Sequence, residues 1–500
     1  MRRSWASCGC VSHSRCAIIT LVSEQQSEPL RKRVLRGSAY LTIRNGVSAL
    51  LSLVGSLLVT RAIGPENYGL FAAATGILGY LNALIAPSVA SYLVRDQSSE
   101  DNRLAHLAFW WLLGLGIVMA FVTCSIMITI GFTSRWRNDF VPIAISIFLG
   151  IPIAQVIAVP QALLEKNLDY RALALVQIAS VVGTYAFAIS LAQLGFGAWA
   201  LVSGFWLAGI VQLVGYYKAA RYCPQWYWSH AEWKQMWSYS VSRALAGWLY
   251  NLRDLAPSLI LFPLAGERAM GYYAIADRLI KMLGFLYTVF GGISFAAFAR
   301  IQHDRTRLAK AIQETAQYLI IFLGMVMSVF CASVGVLVSW FLGAKWDAIT
   351  VQLLCLVMAS RVLVATASGI QTQALYVVGQ NWLRVKASAI FVVFLAGASW
   401  LLLSQAPVTH AALMLAVADL VAHIPVYAFD IYGVRKYIGR LDYRLIVLWL
   451  LAAHAALFAP LLGYWLYAVA CGLLLHPMSV RELRAIVHTL KTNYFGRGGT

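Results

Sequence analysis

Charge is scarce in this chain, and acidic charge scarcest of all. Of its 500 residues only 20 are Asp or Glu, and Asp, Glu, Lys and Arg together make up 12% against 60% hydrophobic residues. Soluble domains carry about a quarter charged residues, so this balance excludes an ordinary soluble enzyme and makes the bilayer the solvent. No Gly-rich phosphate loop follows a strand, which excludes a nucleotide-driven pump in one chain, and no His-Glu-x-x-His set is present. The eight cysteines are scattered, and Cys8, Cys10 and Cys16 with His13 match no zinc spacing. No metal, cofactor or catalytic residue is therefore expected. Residues 1–36 hold one short apolar run, 17–22, too short for a signal-peptide core. They read as a flexible cytoplasmic leader or as residues added by an upstream start codon.

What fills the chain is hydrophobic stretches, about fourteen between residues 37 and 475. A span needs roughly 20 mostly apolar residues. The pattern places six spans in residues 37–217 and six in 241–430, with a linker at 218–240, a basic loop and an extra helix pair in 431–476, and a basic tail from 477. The run 445–475 is long for one helix, and Pro460 with Gly463 near its middle favours two. The expectation is an all-α polytopic membrane protein, two six-helix bundles plus two C-terminal helices, with 12 to 14 transmembrane helices.

The two bundles share an internal repeat. Gly64-Pro-Glu-Asn-Tyr-Gly69-Leu-Phe71-Ala72-Ala-Ala74 returns 202 residues later as Gly266-Glu-Arg-Ala-Met-Gly271-Tyr-Tyr273-Ala274-Ile-Ala276. Gln161-Ala162-Leu163 also recurs, as Gln373-Ala374-Leu375. Parallel repeats of this kind put a substrate path between two halves that rock against each other.

The net charge of +19 is a topology signal rather than a nucleic-acid footprint. Of the 39 Lys and Arg, 28 fall in the termini and alternate loops, and the opposite loops hold only Arg61, Arg135, Arg137, Arg268 and Lys345. The positive-inside rule then puts both termini in the cytoplasm. Outward loops are all short, which argues against a polymerase or ligase with an external site. In the linker, Trp226, His230, Trp233 and Trp237 form an aromatic stripe if helical. Such a helix would lie in the membrane interface, with a sugar platform as the alternative.

Charges at mid-bilayer cost roughly 2.5–3.5 kcal/mol each on insertion scales, so they should face a cavity or a partner. Arg44 shares a face with Ser48, Ser52 and Gly55, and either lines the cavity or snorkels to the interface. Arg243, Tyr250 and Asp254 share a face of the seventh span, with Arg253 beside them. Asp254 reads either as a partner of Arg243 or another Arg, or as leaving Arg253 free for an anion. Asp277 and Lys281 are spaced to pair, which leaves Arg278 without a local partner. Arg361 heads a face through Ala365, Ser368 and Thr372. The only central acids in this reading are Asp254, Asp277 and Asp419, so the cavity should be cationic. Arg44, Arg253, Arg278, Arg361 and Tyr250 are the candidate binding residues, and Asp254, Asp277 and Lys281 the candidate ion pairs or coupling groups. A cationic, hydroxyl-lined cavity suits a phosphate-bearing sugar head group, because guanidinium binds phosphate oxygens bidentately.

Several segments resemble the polysaccharide transporter, or oligosaccharide flippase, family of the multidrug/oligosaccharidyl-lipid/polysaccharide exporter superfamily. They are Arg36-Gly37-Ser38, Ala62 to Gly69, Gly271 to Ala276, and the turn Trp340-Phe-Leu-Gly343-Ala-Lys-Trp346. The likeness spans most of residues 31–430. It implies twelve core helices in two bundles, sometimes with two more. It also implies alternating access, and flipping of polyprenyl-pyrophosphate oligosaccharide across a bacterial inner membrane for surface polysaccharide synthesis. One departure is Phe295 to Arg300, where relatives often carry a proline. Expected partners are the lipid-linked oligosaccharide, membrane lipids and other polysaccharide-assembly proteins, with no nucleic acid. The rivals are a cation-coupled drug or metabolite exporter of the same fold, disfavoured by the absence of an acid between Gly37 and Thr60, a membrane polymerase or ligase, and a non-transporting scaffold in an assembly complex.

Overall fold

In the computed structural model the described residues are 30–84, 86–95, 102–133 and 139–490. They form helices throughout, with no strand among them: the chain is an all-α, multi-pass membrane protein. In the N-terminal part α1 spans Leu30–Leu84, α2 Ala86–Arg95, α3 Arg103–Thr133, α4 Phe140–Phe148, α5 Ile151–Lys166, α6 Tyr170–Gln193 and α7 Ala198–Ala220. Then follow α8 His230–Ala256, a π-helical turn Pro257–Leu261, α9 Phe262–Ile301, α10 Arg305–Phe341, α11 Ala348–Val377, α12 Asn381–Gln405 and α13 Ala411–Tyr437. Finally come α14 Arg444–Leu462, α15 Trp465–Leu474 and α16 Pro477–Leu490.

Ten stretches among the described residues are long and apolar enough to cross a membrane. This is fewer than the twelve to fourteen read from sequence. Residues 46–95 count once although two spans were expected there, α15 has only ten residues, and α8 and α9, which each hold residues outside the described ones, are not among the ten. The run 445–475 divides into α14 and α15 at Gly463, whose φ of 125° ends the helix.

The repeated motif explains itself in backbone terms. Where loops were expected near 61–68 and 265–269, the helix is broken at a single residue: Gly64 at φ 80°, ψ 174°, and Gly266 at φ 77°, ψ −172°. That region of backbone space is open essentially to glycine alone. Pro65 then restarts the helix, the position where a missing N–H costs nothing.

The second glycine of each motif serves packing. A Cβ on Gly69 would sit 1.8 Å from the Glu267 carbonyl oxygen, and a Cβ on Gly271 would sit 2.0 Å from that of Pro65. Residues 69 and 271, like 65 and 267, are separated by the repeat offset, so the two turns interlock reciprocally about a pseudo-twofold axis. The turn from Trp340 to Trp346 caps this junction. Trp346 Nε1 donates to Thr60 O at 3.1 Å, Lys345 Nζ to Ala62 O at 2.7 Å, and the Trp346 ring lies edge-on between Tyr68 and Tyr272.

Gly69→Ala or Gly271→Ala should therefore lower stability by about 1–3 kcal/mol through overpacking against an immovable carbonyl. Gly397→Ala, where a Cβ meets nothing within 4 Å, should be neutral or stabilising. Thermal melting of the three purified variants measures the difference, and equal melting temperatures would refute the interlock.

Candidate functional site

Three elements bring charge to the middle of the molecule. On α8, Tyr250, Arg253 and Asp254 lie within about one turn. On α9, the sequence Asp277-Arg278-x-x-Lys281 faces them, and α11 to α13 add Arg361, Arg384, Asp419, His423 and Asp430. Lys281 joins the first two groups: its Nζ lies 2.7 Å from Asp277 Oδ2, the pair predicted from spacing, and 3.0 Å from Asp254 Oδ1. Asp254 also takes the Arg253 guanidinium at 3.2 Å. Of the two readings of Asp254, the contacts fit an ion pair, and its partners are Arg253 and Lys281. The side chains of Arg44 and Arg243 lie outside the described residues.

Arg278, without a local partner in the sequence, finds distant ones: its Nη2 donates to Ser52 Oγ at 2.7 Å, Ser52 O at 3.1 Å and the Tyr185 hydroxyl at 2.5 Å. It ties α9 to α1 and α6 across the two halves of the chain. The small stripe on α1 makes this possible, because a Cβ on Gly55 would fall 2.2 Å from the Tyr185 ring. On Ser52 and Gly55 that stripe is helix-packing surface.

Arg361 is only 4% exposed and its Nε lies 3.4 Å from Asp419 Oδ2, a buried ion pair. His423 Nδ1 donates to the Asp419 carbonyl at 2.7 Å, and His423 Nε2 is buried without a hydrogen-bond partner among the described residues. A fourth central acid was missed from sequence. Asp430, 2% exposed, accepts from Ser368 Oγ and from Thr372 Oγ1, the latter at 3.3 Å. Arg384, also missed, lies over the Tyr250 ring with its Cζ 4.8 Å from the centroid, a cation–π contact.

Two adjoining cavities share these side chains. One, of about 460 Å³, lies where α1 meets α8, α9 and α13. Its charged lining is balanced: Arg253, Arg278 and Lys281 against Asp254, Asp277 and Asp419. The other, of about 400 Å³, lies among α8, α9, α11, α12 and α13, and its charged lining is Arg253, Lys281, Arg361 and Arg384 with no carboxylate among the described lining residues. Tyr250, Tyr287 and Phe391 supply its aromatic walls. Positive charge is therefore concentrated on the side of the second half, not spread evenly over the gap between halves. Arg253 and Lys281 stand at the boundary of both chambers.

The linker stripe divides. Ser229 caps α8, its hydroxyl accepting from Glu232 N, so Trp226 precedes the helix. Trp233 and Trp237 stack on each other at 6.3 Å and pack edge-on against Trp111 of α3, whereas Trp226 is 76% exposed.

Comparison with known proteins places this geometry. The sequence profile of a family described as polysaccharide biosynthesis protein matches residues 58–351, more than half of the chain. The succinoglycan biosynthesis transport protein ExoT of Rhizobium meliloti (strain 1021) is 23% identical over 302 residues, which cover 59% of this chain and 60% of that protein's length. The chain thus matches less than two thirds of this relative. Among solved structures, lipid II flippase MurJ in an inward closed conformation superposes with a TM-score of 0.67 at 12% identity, covering 89% of this chain and 99% of that one. A multidrug resistance MATE family transporter of the MOP superfamily, inward-facing, gives 0.63 at 14% identity, covering 79% and 98%. These likenesses carry the fold. The relatives are named as transport proteins and flippases, not as enzymes.

Breaking a buried ion pair on one side leaves an uncompensated charge, at a cost of about 3–5 kcal/mol. Arg361→Met alone should therefore destabilise strongly, and adding Asp419→Asn should recover part of the loss. Melting temperatures of the single and double variants test the pair; a double variant no more stable than Arg361→Met would count against it.

Proposed function

This chain belongs to the polysaccharide biosynthesis protein family, and from that premise we propose that it flips a polyprenyl-pyrophosphate-linked oligosaccharide across a bacterial inner membrane. The coarser statement, a membrane transport protein of flippase or exporter fold, rests on the comparisons above. The finer one is carried by a single observation: the chamber of about 400 Å³ whose charged lining is Arg253, Lys281, Arg361 and Arg384, with no carboxylate among the described lining residues.

In this reading the halves are residues 37–217 and 241–430, and both termini are cytoplasmic. The Gly69–Gly271 junction then lies at the periplasmic side and closes it, and the chambers fill from the cytoplasmic leaflet. The diphosphate sits against the planar guanidinium groups of Arg253 and Arg384, which bind phosphate oxygens bidentately. Tyr250 positions both, since Arg253 Cζ lies 5.5 Å and Arg384 Cζ 4.8 Å from its ring centroid. The sugar extends into the adjoining chamber, where Thr75, Ser258 and Tyr273 offer hydroxyls and Asp254 and Asp277 offer acceptors. Outward opening requires the halves to part at their interlocked turns and the Arg278 tie to Ser52 and Tyr185 to rearrange. Asp254 and Asp277 serve as partners of Lys281 in the resting state, and their release from Lys281 is the step at which a cation could couple to transport.

Arg253→Ala with Arg384→Ala should abolish surface polysaccharide at unchanged protein abundance, whereas Arg384→Lys, which keeps charge but loses the fork, should retain part of it. Wild-type polymer levels in the double variant would remove the anion site from this account.

A further inference from the structure

A third cavity, about 610 Å³, lined by none of these charges, lies between residues 102–106 at the start of α3 and residues 221–227 just after α7. Its lining includes Arg103, Arg221, His106, Tyr222, Tyr227 and Trp226, with no carboxylate among the described lining residues. We propose that this pocket is a docking site for a phosphate group carried on a membrane lipid, separate from the central chambers and independent of what they transport.

The backbone gives the first argument. Only three described non-glycine residues have positive φ, and two of them, Asn102 at 52° and Arg221 at 50°, frame this pocket. Arg221 ends α7 in the left-handed conformation that glycine adopts without strain. A guanidinium held at such a position, against the local preference, is the pattern of strain kept for a site.

The walls are pinned on both sides. His106 Nδ1 accepts from Gln225 N at 3.2 Å and meets the Tyr222 hydroxyl at 3.1 Å, and their rings stack at 5.3 Å. Trp110 Nε1 donates to Gln225 O at 2.9 Å and its ring packs edge-on against Trp226 at 5.0 Å. The 221–227 segment is thus fastened to α3 while Arg221 lines the cavity.

Location selects the ligand. The pocket sits at the ends of two helices long and apolar enough to span a membrane, α3 and α7, on the side whose loops carry most of the Lys and Arg in the sequence pattern. Trp226 is 76% and Trp228 46% exposed beside it. Exposed indoles at a span's end belong at head-group depth, and basic groups there attract anionic lipid phosphate. Phosphate offered at that depth comes from a bilayer phospholipid or from a polyprenyl carrier, and both present the same oxygens to Arg103 and Arg221.

Native mass spectrometry of the full chain in neutral detergent tests this, with phosphatidylglycerol, phosphatidylcholine and a polyprenyl diphosphate as probes. All measurements use an Arg253→Ala/Arg384→Ala background, so that the central chamber does not contribute. Arg221→Gly is the decisive change, because glycine suits the left-handed position and the fold should melt at the same temperature or higher. Combined with Arg103→Gln, it should lower retention of the anionic probe by about tenfold or more, the loss expected for charge-assisted hydrogen bonds. A loss confined to phosphatidylglycerol identifies a bilayer lipid, a loss confined to the diphosphate identifies the carrier, and a loss of both leaves the phosphate as the recognised group. Unchanged retention of both anionic probes overturns the proposal, and so does a loss that appears only together with a lower melting temperature.

Discussion

The contact on which this architecture depends is one in which two side chains are missing. Gly69 and Gly271 let the two repeated turns approach until each glycine meets a backbone carbonyl of the other turn. Gly64 and Gly266 supply the sharp breaks that present those turns. Backbone against backbone leaves no side chain to adjust, so the junction fixes how the halves meet at one end of the molecule. The Trp340–Trp346 turn is seated over that end, and among the described residues a cavity of about 460 Å³ opens deeper in the bundle.

Scarcity of charge gives the remaining charges their meaning. Where acids are few, each central Asp is accounted for: Asp254 and Asp277 share Lys281, Asp419 holds Arg361, and Asp430 is held by hydroxyls. These pairings take the carboxylates out of the lining of the second-half chamber and leave four cations facing it. That lining, with the aromatic walls and the balanced chamber next door, is what the proposal of a head group that is part phosphate and part sugar rests on. A drug exporter's cation would meet the wrong sign of charge in the first of these spaces.

Much of this was legible in the sequence where the requirement was local. Glycines at a fixed offset can be read because no other residue tolerates those backbone angles. The Asp277–Lys281 pair can be read because i,i+4 neighbours face each other on a helix. Arg278 could not be read, because its partners Ser52 and Tyr185 lie 226 and 93 residues away. The Arg253–Asp254 contact was hidden for another reason: adjacent residues on a helix do not normally face each other. Arg384 and Asp430 were missed at boundaries. Each lies just outside an apolar run, yet α12 already begins at Asn381 and α13 continues to Tyr437, which carries both residues inside the bundle. Longer helices than the apolar stretches that nucleate them are the signal that composition alone does not give.

The central claim is that the molecule moves a lipid-linked sugar from one leaflet to the other. It is tested most directly in a deletion strain, by measuring the pool of lipid-linked oligosaccharide and its distribution between leaflets. The account predicts that complete repeat units accumulate on the cytoplasmic leaflet while surface polymer is lost. Units that reach the outer leaflet unpolymerised, or polymer and lipid pools that do not change, would contradict it.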